Sequence, residues 1–191
     1  PDDHAELVHR LIVQKDIRRL PLIGHSMGGG IALLVALRLL NEGRLDRLVI
    51  IAGAAYPQRL PPFVKLARMG RLTQWLFAII PKGPLIRRVI RPIVYDPAKV
   101  GAAQVEAYAE PLRSVAHRLA IIRTALQIVP PHLAEITDRY GEIDVPTLLL
   151  WGRHDHVVPL SVAEKLLAAL PNAQLEILEE CGHLPPEELP R

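Results

Sequence analysis

Leu20-Pro21-Leu22-Ile23-Gly24-His25-Ser26-Met27-Gly28-Gly29-Gly30 sets a short apolar run against a serine between glycines, and an apolar helical stretch follows. Gly-x-Ser-x-Gly at such a junction lets a strand turn sharply into a helix. The serine is then held in a strained conformation, with its hydroxyl projecting from the sheet. Gly24 and Gly28 are expected to keep the crowded turn free of Cβ atoms. The helix beyond aims its first N–H groups and the positive end of its dipole at Ser26, where an anionic intermediate would form. The Met27 N–H is the natural oxyanion donor.

Outward from this turn the chain reads as a parallel α/β core. Residues 3–17 carry Leu7, Leu11 and Ile12, with Val8 and Ile17 alongside, at the spacing of an amphipathic helix. Residues 20–23 are apolar on both faces, as in a buried parallel strand, with Pro21 near its start. Residues 28–41 are apolar almost all round, so this helix should be buried, and 41–43 offer its C-terminal stop. A second buried strand follows at 47–53, completing a strand-helix-strand unit. Between 56 and about 142, helical periodicities separated by prolines dominate and no clear strand is seen, which reads as a helical insertion. The α/β rhythm resumes with a strand at 146–152, a helix at 161–170 capped by Ser161, and a strand at 173–178. The expected organisation is a core in two parts, 1–55 and 143–191, with a helical cap over 56–142.

A chain of 191 residues that is 50% hydrophobic can bury a real core of one domain carrying an insertion. Apolar runs without charge fall short of the roughly 18 residues that a membrane span needs. Cys181 is the single cysteine and cannot form an internal disulfide, so it reads as a small buried residue and the default location is cytoplasmic. The start Pro1-Asp2-Asp3-His4, with neither initiator Met nor signal segment, reads as a piece of a longer protein. A net charge of only +3, with no aromatic-basic stacking surface, makes nucleic acid a poor partner. Arg59, Lys65, Arg68, Arg71, Lys82, Arg87, Arg88 and Arg91 fall in a window free of Asp and Glu up to Asp96, interleaved with apolar residues such as Trp75 and Phe77. The preferred reading is the solvated face of a lid whose apolar side packs on the core. Weak attraction to anionic or lipid interfaces is the alternative.

Two more polar sites fall where strands end, which is where active-site groups gather in parallel α/β sheets. One is Asp155, in Gly152-Arg153-His154-Asp155-His156-Val157-Val158-Pro159, and the other is His183, in Cys181-Gly182-His183-Leu184-Pro185-Pro186-Glu187. His154 and His156 lack further ligands at a recognisable spacing, so no metal is expected. With the three blocks in the order Ser, Asp, His, the chain resembles the α/β-hydrolase superfamily, in particular bacterial single-domain esterase-like members with a helical cap. The resemblance implies a partial α/β-hydrolase fold that comprises the second half of the parallel sheet, the cap and the histidine block.

It also implies that Ser26 is the nucleophile, His183 the general base, Asp155 the acid that orients the imidazole, and Met27 N–H one half of the oxyanion hole. The other half normally comes from a loop after an early strand, and nothing before Ser26 supplies one. His25 is expected to be a pocket or packing residue, and Trp75 and Phe77 of the cap to line an acyl pocket. A small-molecule carboxylic ester, cleaved through an acyl-enzyme without a cofactor, is the leading expectation. Serine at the turn argues against relatives whose nucleophile is a carboxylate. The alternatives are a C–C bond hydrolase of ring-cleavage products, an amidase or peptidase, or a non-catalytic binding protein or inactive fragment.

Overall fold

The computed structural model describes residues 1–57, 86 and 88–190. Helix α1 (Asp2–Gln14) leads to strand β1 (Leu20–His25), helix α2 (Met27–Leu39) and strand β2 (Leu45–Ile51). Between β2 and the next strand the regular elements among the described residues are helices and 3₁₀ turns. A helix end at 88–90 and a 3₁₀ turn at Arg91–Ile93 precede α3 (Ala102–Ala109), α4 (Val115–Leu126), α5 (Leu133–Asp138) and a 3₁₀ turn at Tyr140–Glu142. Strand β3 (Thr147–Gly152), α6 (Leu160–Ala169), β4 (Ala173–Leu178) and the short α7 (Pro185–Glu188) complete the chain. The strands form a parallel sheet in the order β1-β2-β3-β4.

Helix α2 is as buried as its composition requires: Ala32 through Leu37 and Leu39 are covered. It joins Leu48 and Ile50 of β2, Leu149 and Trp151 of β3, and Val162 and Leu166 of α6 in one hydrophobic cluster. Two buried polar tips are satisfied inside that cluster. The Tyr140 hydroxyl donates to the Ala55 carbonyl at 2.8 Å, and the Trp151 indole N–H to the Val158 carbonyl at 2.8 Å. Burying these rings without such partners would cost about 1–3 kcal/mol each.

Several expectations are corrected. Strand β1 is not buried on both faces. Ile23, Val49 and Leu148 lie in register across the sheet, and Ile23 and Leu148 are 63% and 39% exposed, while the rows packed on α2 and α6 are covered. In α1 the buried stripe is Ala5, Val8 and Ile12, one helical face at i, i+3 and i+7, whereas Leu7 and Leu11 point to solvent. Helix α6 starts one residue early, at Leu160 after Pro159, so Ser161 lies inside its first turn and makes no cap.

Gly24 and Gly28 also differ from each other. A Cβ on Gly24 would lie 2.3 Å from the Gly28 carbonyl oxygen and 2.8 Å from the Ala32 Cβ, but one on Gly28 meets nothing within 4 Å among the described residues. The backbone of Gly28 itself fills the space over Gly24, so only the Gly24 side of the contact needs the missing side chain. Gly24→Ala should therefore lower unfolding free energy by about 2 kcal/mol or more through overpacking. Gly28→Ala should fall within about 1 kcal/mol of the parent, because alanine is the better helix former. Urea denaturation of both variants checks the pair, and equal losses would contradict this account of the turn.

Candidate active site

Ser26 closes β1 and caps α2 with φ 54° and ψ −121°, a conformation costly for a residue with a side chain. The strain is held by backbone bonds on both sides. Ser26 N–H donates to the Ile51 carbonyl at 2.9 Å, and the Ser26 carbonyl accepts from Gly29 at 3.0 Å, Gly30 at 3.4 Å and Ala54 at 2.9 Å. Its Oγ is thereby presented beyond the sheet rather than folded onto the helix, and it makes no cap hydrogen bond. Met27, as the first residue of α2, has no carbonyl one turn back for its N–H, so that donor is oriented along the helix axis beside Ser26.

Asp155 lies in the turn after β3. Its Oδ1 accepts the N–H groups of Val157 at 2.8 Å and Val158 at 2.9 Å, while Oδ2 faces the His183 ring at 2.8 Å from Nδ1. Val158 also receives the Trp151 indole, so this acidic turn is anchored to the core of the sheet. His183 follows β4, and its Nε2 lies 2.9 Å from Ser26 Oγ. A carboxylate can only accept, so Nδ1 carries the proton and Nε2 is left to accept the Ser26 O–H. Asp155 and His183 are 5% exposed each, which shields the pair from competing water. The structure thus brings Ser26, His183 and Asp155 together from the ends of three parallel strands.

His25 had two expected roles, and the contact present is a packing one. Its Nε2–H donates to the His183 carbonyl at 2.8 Å, and the two rings lie 5.1 Å apart. Burial is the main reason its imidazole titrates below the ordinary value, opposed by the hydrogen bond to the His183 carbonyl. Trp75 and Phe77 lie outside the described residues, as do Arg59, Lys65, Arg68, Arg71, Lys82 and Arg87. Arg88 and Arg91 are exposed. Among the described residues no group of three or more His, Cys, Asp or Glu side chains could hold a metal ion, and no helix is long and apolar enough to cross a membrane. His154 instead stacks against Tyr95 with ring centroids 4.7 Å apart. Cys181 is fully buried, and burial first, then the neighbouring Glu188 carboxylate, pushes its thiol up to about 12.

Sequence reasoning missed Glu188, a carboxylate 3% exposed that binds the backbone around His183. The signal was present in Leu184-Pro185-Pro186: a proline-opened helical turn puts residue 188 on the face of Leu184, one turn back, and turns Glu187 aside.

The lowered titration of His25 fixes a sign. The unfolded chain takes up a proton that the folded chain refuses, so the neutral ring's contribution is intact above pH 6.5 and is lost as pH falls toward and through the depressed value. His25→Asn should flatten the acid side of the stability profile. Denaturation midpoints of parent and variant across that window test it, and identical slopes would remove His25 as the source.

Comparison with known proteins agrees with this architecture. The family model described as serine aminopeptidase, S33, matches residues 1–190. The chain is 32% identical over 181 residues to a 2-hydroxy-6-oxononadienedioate/2-hydroxy-6-oxononatrienedioate hydrolase of Cupriavidus pinatubonensis, covering 94% of this chain and 61% of that protein's length. An α/β hydrolase fold protein from Burkholderia ambifaria superposes with a TM-score of 0.81 at 23% identity, covering 97% of this chain and 67% of the other. The 2-hydroxy-6-oxo-6-phenylhexa-2,4-dienoate hydrolase of Rhodococcus sp. strain RHA1 superposes at 0.75 with 24% identity, covering 97% and 64%. A parallel sheet with a strained serine at its first turn, matched over nearly every residue, is a member of the S33 serine aminopeptidase family of α/β hydrolases.

Proposed function

We propose that the chain carries the working triad of a hydrolase, with Ser26 as nucleophile, His183 as general base and Asp155 as the acid that orients the imidazole. We further propose that the substrate is a ring-cleavage product split at a C–C bond beside a ketone. The observation that carries the first part is the unbroken line from Asp155 Oδ2 through the His183 ring to Ser26 Oγ, at 2.8 and 2.9 Å. Both distances lie within hydrogen-bond reach of a nucleophile and its base. The second part is supported by the activity named for the Cupriavidus relative, and it is favoured over the carboxylic ester expected from the sequence.

In this mechanism Ser26 O–H gives its proton to His183 Nε2 as Oγ adds to the ketone carbon of the substrate. Asp155 stabilises the imidazolium, and the Met27 N–H faces the oxyanion. Collapse breaks the adjacent C–C bond. This requires the substrate as its 2-keto tautomer, with the 2-hydroxyl proton moved to the carbon beside the 6-ketone. The departing electron pair is then delocalised through the remaining double bond onto the 2-oxygen as a dienolate, which takes the proton from His183. Water, activated by the same imidazole, then releases a carboxylic acid and restores Ser26. An ester would follow the same path with an alkoxide as the leaving group. The described part of the proposed cap, residues 88–142, would cover this chemistry, a reading supported by the Ile93 carbonyl accepting the His183 N–H at 2.7 Å.

Ser26→Ala in the protein carrying this chain should lower turnover by about 10⁴–10⁶. Loss below tenfold would remove Ser26 as nucleophile. For the substrate class, kcat/KM on 2-hydroxy-6-oxononadienedioate should exceed that on a nitrophenyl ester by about a hundredfold or more. Faster ester cleavage would overturn the C–C assignment while leaving the triad intact.

A further inference from the structure

The N–H groups of Gly182, His183 and Leu184 are all engaged, and one side chain accounts for both flanks. Glu188 Oε1 accepts the Gly182 N–H at 3.0 Å and the Leu184 N–H at 3.1 Å, and Oε2 accepts Gly182 again at 3.0 Å and the Tyr95 N–H at 2.6 Å. His183 itself donates its N–H to the Ile93 carbonyl and accepts at its own carbonyl from His25. The loop is pressed onto the Ile93–Tyr95 segment so closely that a Cβ on Gly182 would lie 2.6 Å from the Ile93 oxygen and 2.8 Å from the Val94 Cα. A carboxylate taken this far out of water is tolerated only when its oxygens are well satisfied, and here three N–H groups from two separate segments satisfy them.

We propose that Glu188 is a positioning residue that holds the His183 ring between Ser26 and Asp155 by clamping the peptides on either side of it to the bend at Tyr95. This rests on the triad reading above. The physical argument is one of tolerance: the ring spans two hydrogen bonds of 2.8 and 2.9 Å at once, so a small shift of its backbone lengthens one of them. Glu187, adjacent in sequence, is held apart from this cluster. Its carboxylate accepts from the Tyr108 hydroxyl at 3.2 Å, on the exposed side of the same turn.

A carboxamide keeps the size of Glu188 but turns one acceptor into a donor that faces backbone N–H groups. The test compares parent, Glu188→Gln and Glu187→Gln in the full protein by three measurements: kcat and KM, the rate of Ser26 modification by a fluorophosphonate, and the low-field proton resonance of His183 Nδ1–H. Glu188→Gln is expected to lower kcat and the modification rate about ten- to a hundredfold, with KM within about twofold and the resonance broadened or lost. Glu187→Gln should match the parent in all three. A Glu188→Gln protein that melts earlier yet keeps parental kcat and the resonance when folded would overturn the proposal and reduce Glu188 to a structural brace. If that variant does not fold, Glu188→Asp carries the comparison, because its shorter stem cannot reach both segments; parental behaviour there overturns the proposal equally. A parent that shows the resonance but no modification of Ser26 would sink the hydrolase reading instead, while loss of the resonance in the variant would still support the clamp.

Discussion

The carbonyl of Ser26 gathers the N–H groups of Gly29, Gly30 and Ala54, and this knot is what the rest of the site hangs on. It draws the first turn of α2 and the turn after β2 onto one oxygen, so the left-handed conformation of Ser26 is enforced from two sides. A strained residue persists only where its surroundings over-determine it. Here they do so by backbone bonds alone, which leaves the Ser26 hydroxyl free to face His183. The near-contact of Gly24 with the Gly28 carbonyl belongs to the same knot, because the chain can reverse this tightly only with no side chain at that point.

The sheet then determines where the remaining groups arrive. With all strands parallel, every strand delivers its following turn to the same edge, so Ser26 after β1, Asp155 after β3 and His183 after β4 meet although up to 157 residues separate them in sequence. Burial of Asp155 is offset locally by the two N–H groups of its own turn and by the imidazole, and the Trp151 indole fastens that turn to the core. Charge burial and core packing are thus coupled at one turn.

What could be read from the residues alone follows this division. The elbow, the strand ends and the order of the polar blocks are local signals, carried by Gly24-x-Ser26 and by apolar runs of strand length, so the parallel α/β architecture was legible. Features that depend on what lies across a face were not. Ile23 is as apolar as a buried strand residue yet stands 63% exposed, and the helical stripe of α1 could be drawn through Leu7 and Leu11 or through Ala5 and Ile12 with equal periodicity. Ser161 looks like a cap but sits one residue inside α6. Glu188 escaped notice because a glutamate beside another glutamate in a charged tail resembles solvent-facing surface, and only the fold of the Pro185–Glu188 turn carries it inward.

Cys181 shares that interior. Its thiol, pushed up to about 12 by burial, stays protonated at neutral pH, and the surrounding loop covers it completely. Alkylation can therefore proceed only through excursions in which the loop lifts away. The lone thiol is a native clock for that opening: its labelling half-life, followed against reagent concentration, separates how often the histidine loop detaches from how quickly it returns.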